Sequence, residues 1–220
     1  MVHDLISKYF LDKTKLNILD VGCGTGALLR ELGDYGNVQG LDFSPRAVSF
    51  CKERGLLNVE QGSATEIRYE NKTFDLVLAL DVLEHIKDDR KALSEINRVL
   101  KPGGIAIIFV PAFMFLWGVT DERSQHERRY TLRELKEKTR NAGFGVIRAS
   151  YFNTFLFPPI ALLRIFVRIV KIKIKSENEL TNPSTDQMLY NIFNLERKLL
   201  RFVNFPFGVS SMIICQKKPE

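Results

Sequence analysis

Three glycines at alternate positions follow a short apolar run near the start of the chain. The segment Asn17-Ile-Leu-Asp-Val-Gly-Cys-Gly-Thr-Gly26 leads directly into the helical pattern of Ala27-Leu-Leu-Arg-Glu-Leu32. Glycines let the backbone turn sharply and let a ligand approach, and the N-terminus of the following helix offers free N–H groups to an anion. Asp42 ends the next apolar run, where a carboxylate can accept both hydroxyls of a ribose. The loop and the acid together predict a nucleotide-type cofactor.

The spacing of the glycines and the acid before them indicate which cofactor this is. A dinucleotide site prefers Gly-x-Gly-x-x-Gly, whereas Gly22, Gly24 and Gly26 alternate here, and Asp20 stands two positions before the first of them. A carboxylate would repel a pyrophosphate but attract the ammonium group of an amino acid. The pattern therefore predicts a ligand that joins adenosine to a methionine-like zwitterion, and it disfavours a nicotinamide cofactor.

Four segments in this order resemble the class I S-adenosylmethionine-dependent methyltransferases, in particular the type 11 group. They are Leu19-Asp-Val-Gly-Cys-Gly-Thr-Gly26, Leu41-Asp42, Phe74-Asp-Leu-Val-Leu-Ala-Leu-Asp-Val-Leu-Glu-His85 and Arg98-Val-Leu-Lys-Pro-Gly-Gly104. The resemblance spans residues 16–151 and implies S-adenosyl-L-methionine as the cofactor. It also implies an α/β fold with a doubly wound, seven-stranded, mostly parallel Rossmann-like sheet whose last strand is antiparallel.

The resemblance and the loop pattern assign a set of cofactor-binding residues. We expect them to be Asp20, Gly22, Cys23, Gly24, Asp42, Phe43, Ser63, Ala64, Leu80, Asp81 and Val82. The resemblance implies that Gly22 and Gly24 line the methionine moiety, that Asp42 holds the ribose and that Leu80-Asp81 flanks the sulfonium. One segment departs from the family: Gly62-Ser63-Ala64 stands where many members have an Asp that meets the adenine amino group. We expect the neutral Ser63 to hold adenine less strongly than a carboxylate would.

Histidines are the side chains best suited to take a proton from an acceptor at neutral pH. Methyl transfer is a displacement at an activated carbon, so a base helps mainly when the acceptor is a hydroxyl. The candidate catalytic residues are His85, four positions after Asp81, and His126 and Tyr130 in the segment Asp121-Glu-Arg-Ser-Gln-His-Glu-Arg-Arg-Tyr130. Two other interpretations stay open: His85 packs or caps its turn, and the segment is a solvated loop with internal ion pairs.

The same region supplies candidate residues for binding the acceptor. Arg128 and Arg129 are expected to grip an anionic group, and Trp117 belongs to the aromatic residues expected to wall an apolar pocket. These aromatic residues form two groups, Phe109, Phe113, Phe115 and Trp117, then Tyr151, Phe152, Phe155 and Phe157. No Asn-Pro-Pro-Tyr signature follows the fourth apolar run, so methylation of nucleic-acid bases is disfavoured.

Alternating apolar and amphipathic stretches predict the elements that must position these residues. Strands are predicted at 17–21, 38–42, 58–62, 74–80, 105–110, 145–151 and 209–216. One helix should begin after Ser44-Pro45 and run to Arg54. A second should run from Asp88 to Leu100, before the turn Lys101-Pro-Gly-Gly104. A third should begin with the capping box at Thr131 and end at Ala142-Gly143.

About 55 residues separate the last two predicted strands, far more than usually join neighbouring strands. We therefore predict a helical insertion at 152–207 within a single domain of residues 1–220. A helix from Pro159 would align Arg164, Arg168, Lys171 and Lys175 as one basic stripe, although 170–175 also alternates as a strand does. A second helix would present Met188, Ile192, Leu195, Leu199 and Val203 on one face.

Three roles fit this insertion, and the sequence leaves them open. It can form a lid over the active site, the interface of a homodimer, or a peripheral membrane contact through residues 155–175. The insertion carries eight Lys or Arg against four Asp or Glu, which is most of the chain's net charge of +6. Basic groups on an apolar helix suit the phosphates of a membrane surface.

Composition excludes several classes of protein. The 220 residues are 45% hydrophobic and 26% charged, as in globular enzymes, which excludes disordered, collagen-like and coiled-coil chains. The excess of 32 Lys and Arg over 26 Asp and Glu is too small for a polybasic nucleic-acid binder. Three widely spaced cysteines without ligand spacing indicate a reduced compartment and no metal site. No secretion signal is recognised, so the cytoplasm is expected, at the inner face of the membrane if the insertion binds lipid.

These observations predict an enzyme that transfers a methyl group from S-adenosylmethionine to a small or lipid-like acceptor, at oxygen. An anionic, isoprenoid or lipid-linked acceptor fits the basic and aromatic residues best. Two alternatives stay open: a soluble quinone-type O-methyltransferase, and a non-catalytic module that binds S-adenosylmethionine and holds a partner.

Overall fold

A computed structural model describes residues 1–11, 15–170 and 183–219 of the chain. Its centre is a seven-stranded sheet in the order β3-β2-β1-β4-β5-β7-β6. The strands are β1 Leu16–Val21, β2 Gly36–Asp42, β3 Val59–Gln61, β4 Phe74–Leu80, β5 Leu100–Pro111, β6 Phe144–Phe152 and β7 Ser210–Lys217. Only β7 runs antiparallel to its neighbours β5 and β6. The predicted fold class and all seven predicted strands are confirmed.

Eight helices connect or flank these strands in the described part of the chain. They are α1 Val2–Tyr9, α2 Ala27–Leu32, α3 Pro45–Glu53, α4 Asp89–Val99, α5 Val119–Arg123, α6 Leu132–Asn141, α7 Phe157–Val170 and α8 Pro183–Leu199. Short 3-10 turns occupy Gly33–Tyr35, Leu83–His85 and Met114–Leu116. The predicted caps are confirmed: Ser44 accepts from Ala47 N–H, and Thr131 and Glu134 form a reciprocal capping box.

One predicted turn belongs instead to a strand. The chain leaves α4 at Val99 and pairs with β4 at once, so Lys101-Pro-Gly-Gly104 is the irregular first part of β5. Gly103 takes a φ of +77° there, which glycine adopts without strain. The pairing register with β4 shifts across this irregularity, because the extra residues have no partners.

Helices cover both faces of the sheet, as the continuous apolar character of its central strands requires. Along β4, Val77 and Ala79 pack on one face with residues of α4 and α6, such as Leu93 and Leu135. Leu76 and Leu78 point to the other face and pack with residues of α1 and α2. The strand order of the sheet reverses between β1 and β4. Open α/β sheets bind ligands at the carboxyl ends of the strands at such a switch point.

The insertion contains the two predicted helices, but α8 packs through a different face. Met188 and Leu195 are each 54% exposed, whereas Glu196 and Leu200 are buried. The cause is the Glu196 carboxylate, which accepts hydrogen bonds from the N–H groups of Thr154 and Phe155 and so turns its own side of α8 inward. Val203 lies beyond the end of the helix.

The structure removes Arg164 from the basic stripe predicted along α7. Arg164 is mostly buried, and its guanidinium donates to the carbonyl of Leu116 and lies 3.5 Å from Asp121 Oδ2. Lys171 and Lys175 lie outside the described residues, as does the side chain of Arg168. No helix among the described residues combines the length and the apolar character that crossing a membrane requires.

Candidate functional site

The glycine loop follows β1 and is held by contacts that only glycine permits. Gly22 has a φ of +74°, and its N–H donates to Leu41 O at 2.7 Å. A Cβ at this position would lie 2.5 Å from Val82 Cγ2, so the loop and the end of β4 approach each other closely. Gly24 has a φ of +55°, but a Cβ there would meet no atom of the described chain within 4 Å. The space above Gly24 is therefore open to a ligand.

A cleft of about 440 Å³ opens beside this loop, at the carboxyl ends of β1 and β2. Five of the predicted cofactor residues line it, namely Gly22, Phe43, Ser63, Ala64 and Val82. His85 lines it as well, and so do Thr65 and Ile86, which were not predicted from the sequence. Phe43 is 78% exposed, and an aromatic ring so placed at the edge of a cleft can stack on a flat ligand group.

Asp42 fixes the shape of the loop from the end of β2. Its Oδ2 accepts from Gly24 N–H and its Oδ1 accepts from Ser44 N–H, both at 2.8 Å. Each carboxylate oxygen keeps a second lone pair, which leaves room for a ribose hydroxyl. The hydroxyl of Ser63 is 2.7 Å from that of Thr65, so Thr65 orients the group that the sequence analysis assigns to adenine.

Asp20 is a buried acid behind the loop. Burial, together with the nearby charge of Asp42, raises its pKa to about 7. A carboxylate kept partly protonated in this way ionises readily when a cation binds beside it. This is the electrostatic environment that the ammonium end of a zwitterion needs.

Two histidines meet next to the cleft, although they come from different segments. The rings of His85 and His126 pack edge to face with centroids 4.6 Å apart. The Nδ1 atom of His126 is 2.8 Å from Asp121 Oδ1, so the imidazole donates there and leaves Nε2 with a free lone pair. Burial, followed by the neighbouring His126, lowers the pKa of His85, while backbone hydrogen bonds to Ser124 and Gln125 act in the opposite direction.

Asp121 is the fixed point of this arrangement. It is fully buried and accepts hydrogen bonds from Arg129 Nε at 2.7 Å, Arg129 Nη2 at 2.9 Å and Gly118 N–H at 2.8 Å. Burial alone would raise its pKa, but these hydrogen bonds outweigh it, so the pKa of Asp121 is lowered. The ionised carboxylate then sets the orientation of His126. No pattern in the sequence indicates that Gly118, Arg129 and His126 converge on Asp121.

Comparison with known proteins identifies the kind of domain that this site belongs to. Residues 19–108 match the family model described as a methyltransferase domain. Curated relatives include a ubiquinone biosynthesis O-methyltransferase of Rickettsia canadensis, 36% identical over 47% of this chain and 46% of its own. A demethylmenaquinone methyltransferase of Staphylococcus aureus is 40% identical over 42% of each chain. Each alignment thus spans less than half the length of the curated relative.

Solved structures show the same fold. A SAM-dependent methyltransferase from Archaeoglobus fulgidus superposes with a TM-score of 0.62 at 19% identity, covering 98% of this chain and 93% of the other. The [4+2]-cyclase SpnF superposes with a TM-score of 0.63 at 22% identity, covering 100% of this chain and 81% of the other. The matching residues 19–108 contain the glycine loop, Asp42 and the end of β4.

Residues 19–108 of this chain therefore belong to a class I S-adenosylmethionine-dependent methyltransferase domain.

The cofactor of this methyltransferase domain is S-adenosyl-L-methionine, and the cleft fits its parts. The loop leaves open space at Gly24, Asp42 retains acceptor lone pairs, and Asp20 supplies negative charge. Leu80 and Asp81 lie at the end of β4, where Asp81 takes a φ of +52° and donates its N–H to Phe109 O. Cys23 contributes only backbone at the loop, because its buried side chain packs with Leu29, Val48, Cys51 and Val59.

The structure contradicts the predicted acceptor-binding roles of Arg128 and Arg129 and the predicted catalytic role of Tyr130. Arg129 is buried, and its guanidinium donates hydrogen bonds to Asp121 and to Ala112 O. Arg128 pairs with Asp89 at 3.1 Å and donates to Lys87 O. Tyr130 is 2% exposed and donates to Asp89 Oδ2 at 2.8 Å, while burial raises its pKa further above the ordinary value. It therefore cannot act as a base near neutral pH.

Arg129 and Tyr130 are buried because their segment extends the sheet. The Tyr130 N–H donates to Pro111 O and its carbonyl accepts from Phe113 N–H, beside β5. Neighbouring residues of an extended segment point to opposite sides. Arg129 therefore turns towards Asp121, and Tyr130 turns into the core. The solvated-loop interpretation is also wrong for Asp121, which is fully buried.

The two aromatic groups of the sequence partly come together beside this segment. Phe113 stacks on Tyr151 with centroids 4.8 Å apart and contacts Phe115 and Phe157 at 5.3 and 5.8 Å. Phe157 begins α7, so the insertion supplies part of this cluster. Trp117 is half-buried at the end of the nearby 3-10 turn. By contrast, Phe109 packs on Phe152 within the core on the other face of the sheet.

Proposed function

We propose that this chain transfers the methyl group of S-adenosylmethionine to a hydroxyl oxygen on a small, apolar-ringed acceptor of the quinol class. The observation that carries the proposal is the His85–His126 pair. One member lines the cofactor cleft, and the other has its Nδ1 bonded to a buried carboxylate. A hydroxyl acceptor needs a base beside the methyl donor, and these residues offer one.

Separate residues bind the cofactor and accept the proton in this reaction. Asp20, Gly24, Asp42, Phe43 and Ser63 hold the cofactor, which when bound supplies an electrophilic methyl carbon on a sulfonium. His126 accepts the hydroxyl proton at Nε2, since Asp121 occupies its Nδ1 side and stabilises the imidazolium that forms. The oxygen becomes a stronger nucleophile as that proton leaves.

The choice of a quinol-type acceptor rests on three observations. The aromatic cluster around Phe113 offers an apolar wall beside the loop that carries His126. Arg128 and Arg129 are engaged within the protein, which removes the argument for an anionic acceptor. The curated relatives are named as a ubiquinone biosynthesis O-methyltransferase and a demethylmenaquinone methyltransferase.

We also propose that α7 of the insertion forms one wall of the acceptor side, which favours the lid among its three roles. Arg164 joins α7 to the carbonyl of Leu116, and Phe157 joins it to Phe113. Both partners belong to the segment that carries His126. The homodimer and the peripheral membrane contact are then additional roles for the exposed surface of α7 and α8.

The test is a turnover assay on short-chain prenylated catechols and hydroquinones with S-adenosylmethionine that carries a labelled methyl group. We expect a labelled methyl ether by mass spectrometry, with His126→Gln reducing kcat by about 100-fold or more. His3→Gln is the matched control, because His3 also bonds a carboxylate, Glu31, at 2.7 Å but lies far along the chain from the loop. Binding of S-adenosylmethionine without turnover on any acceptor would support the non-catalytic module instead.

A further inference from the structure

Three side chains with metal-ligating atoms converge beside the cofactor cleft. Glu84, His85 and His126 each offer one ligand atom, and these atoms lie within 4.8 Å of one another. Glu84 and His85 belong to the 3-10 turn after β4, whereas His126 follows α5. The two segments are fixed to each other by the backbone, because Glu127 N–H donates to Glu84 O at 2.7 Å.

Glu84 is the member of the group that most needs a partner. It is 1% exposed, and its Oε2 has no hydrogen-bond partner among the described residues. A buried carboxylate oxygen without a partner is costly unless it is protonated or neutralised by a cation. The two imidazoles, whose ligand atoms lie within 4.8 Å, are able to share a cation with it.

His126 already has the orientation of a metal ligand. Metal-binding histidines commonly donate the other ring N–H to a carboxylate, which fixes the ring and increases its basicity. Asp121 accepts from His126 Nδ1 in this way at 2.8 Å and is itself held by Arg129. The ring therefore keeps its Nε2 lone pair for another partner, and His85 packs beside it.

We infer that Glu84, His85 and His126 form a binding site for one divalent transition-metal ion of the zinc type. Two imidazoles and one carboxylate with an open position are a common ligand set for catalytic zinc. Ligand atoms around zinc are separated by about 3.4 Å, so the group must contract by about an ångström or less at each side chain. His85 is exposed, so its ring can exchange its backbone hydrogen bonds with Ser124 and Gln125 for this position.

The site goes beyond the proposed function and does not depend on it. A metal ion there would hold an acceptor oxygen and lower its pKa as a Lewis acid. The metal ion would occupy the Nε2 lone pair of His126, which accepts the proton in the metal-free chain. In any one molecule, His126 therefore either binds the metal or acts as the base. Binding of the metal can be measured without cofactor or acceptor, which keeps the two proposals separately testable.

The experiment titrates the chelator-treated full chain with Co²⁺, whose visible absorption reports coordination number and ligand type, and then with Zn²⁺ in competition. We expect one Co²⁺ per chain with the spectrum of nitrogen and oxygen ligands, and displacement by Zn²⁺. Glu84→Gln and His126→Gln should each weaken binding by about 100-fold. Asp121→Asn, which leaves the three proposed ligands in place but removes the charge that orients His126, should weaken it by about 10- to 100-fold.

His3→Gln is the control that should leave the titration unchanged. Circular dichroism and the metal-free melting temperature of each variant show whether it folds, and a metal-dependent rise in melting temperature should occur only in chains with the intact site. Absence of Co²⁺ binding would overturn the inference. Equal binding by the wild-type, Glu84→Gln and His126→Gln chains would overturn it too, since it would reveal an adventitious ion only.

Discussion

At the scale of single residues, the site depends on acids whose surroundings differ. Asp20 is buried close to another carboxylate and has a raised pKa, whereas Asp121 is buried among hydrogen-bond donors and has a lowered pKa. The same side chain therefore serves two purposes. Asp20 is ready to acquire a charge when a cation arrives, and Asp121 keeps its charge and orients His126.

Asp20 should make cofactor binding depend on pH. With a pKa of about 7 in the free protein, it attracts the ammonium group of the ligand only in its ionised form. Affinity for S-adenosylhomocysteine should therefore be about tenfold lower at about pH 6 than at about pH 8. Calorimetry at both pH values checks this, and Asp20→Asn should bind weakly at both, with the pH dependence removed.

The same substitution should stabilise the free protein at alkaline pH. A carboxyl whose pKa is raised by folding binds its proton more tightly in the folded chain than in the unfolded one. Its contribution to stability is therefore full below the ordinary pKa of 3.8 and is lost as pH rises to about 7. At about pH 8, Asp20→Asn should raise the free energy of unfolding, on the order of 1–4 kcal/mol. An unchanged urea midpoint would contradict this.

Asp42 should matter more to the cofactor than Ser63 does. Asp42→Ala removes the acceptor for Gly24 N–H and Ser44 N–H as well as the expected ribose contact, so affinity should fall by about 100-fold or more. Ser63→Ala removes one neutral hydroxyl and should cost less than about tenfold. Asp42→Asn is the control of equal size. Equal, small losses for Asp42→Ala and Ser63→Ala in calorimetry would show that the ribose is held elsewhere.

At the scale of elements, the insertion is connected to the active-site segment by few contacts. Arg164 makes a polar one, since its guanidinium reaches the carbonyl of Leu116 and the vicinity of Asp121. A helix tied in this way responds to the state of the segment that carries His126. The exposed apolar side chains of α7, such as Leu162 and Ile169, take no part in this connection.

Arg164→Gln should loosen α7 without unfolding the sheet. Loss of a hydrogen bond to a backbone carbonyl should raise amide hydrogen exchange across α7 by about fivefold. Cofactor affinity should stay within about twofold, because Arg164 does not line the cleft. Mass spectrometry of exchange in α7 peptides gives the measurement, and Arg140→Gln, exposed on α6, is the control. Unaltered exchange in α7 would mean that apolar packing alone holds the helix.

At the scale of the whole molecule, one buried acid joins three elements of the fold. Asp89 at the start of α4 accepts from Tyr130 and pairs with Lys138 of α6 and with Arg128. These contacts hold the sheet extension at Tyr130 against α4 and α6. The residues that the sequence suggested for catalysis therefore contribute to the stability of the domain.

Tyr130→Phe distinguishes the two roles. The substitution keeps the ring in the core but removes the hydroxyl that donates to Asp89 at 2.8 Å. We expect the free energy of unfolding to fall by about 1–3 kcal/mol, while kcat and cofactor affinity per folded molecule stay within about twofold. Urea unfolding and turnover measured on the same preparation check both. A large loss of kcat with unchanged stability would restore Tyr130 as a catalytic candidate.

The sequence by itself determined the seven strands, the helix caps, the glycine loop and the position of Asp42. These follow from local rules: apolar periodicity, capping side chains within three residues, and glycines where φ is positive. The three glycines and the two acids beside them also determined the cofactor class. The spacing of these residues is set by one strand and its turn.

Only the tertiary structure decided which polar residues face the site. Arg129 and Tyr130 belong to a segment that forms an isolated bridge beside the end of β5, and this bridge sets the side on which each side chain lies. The apolar periodicity of the sequence does not predict such a bridge. Asp121 also has Arg164 beside it, 43 positions later in the chain, and His126 packs on His85 from another segment. Glu84 gave no signal because its burial depends on elements that are distant in sequence. Contacts between distant segments reflect packing, which a single sequence does not record.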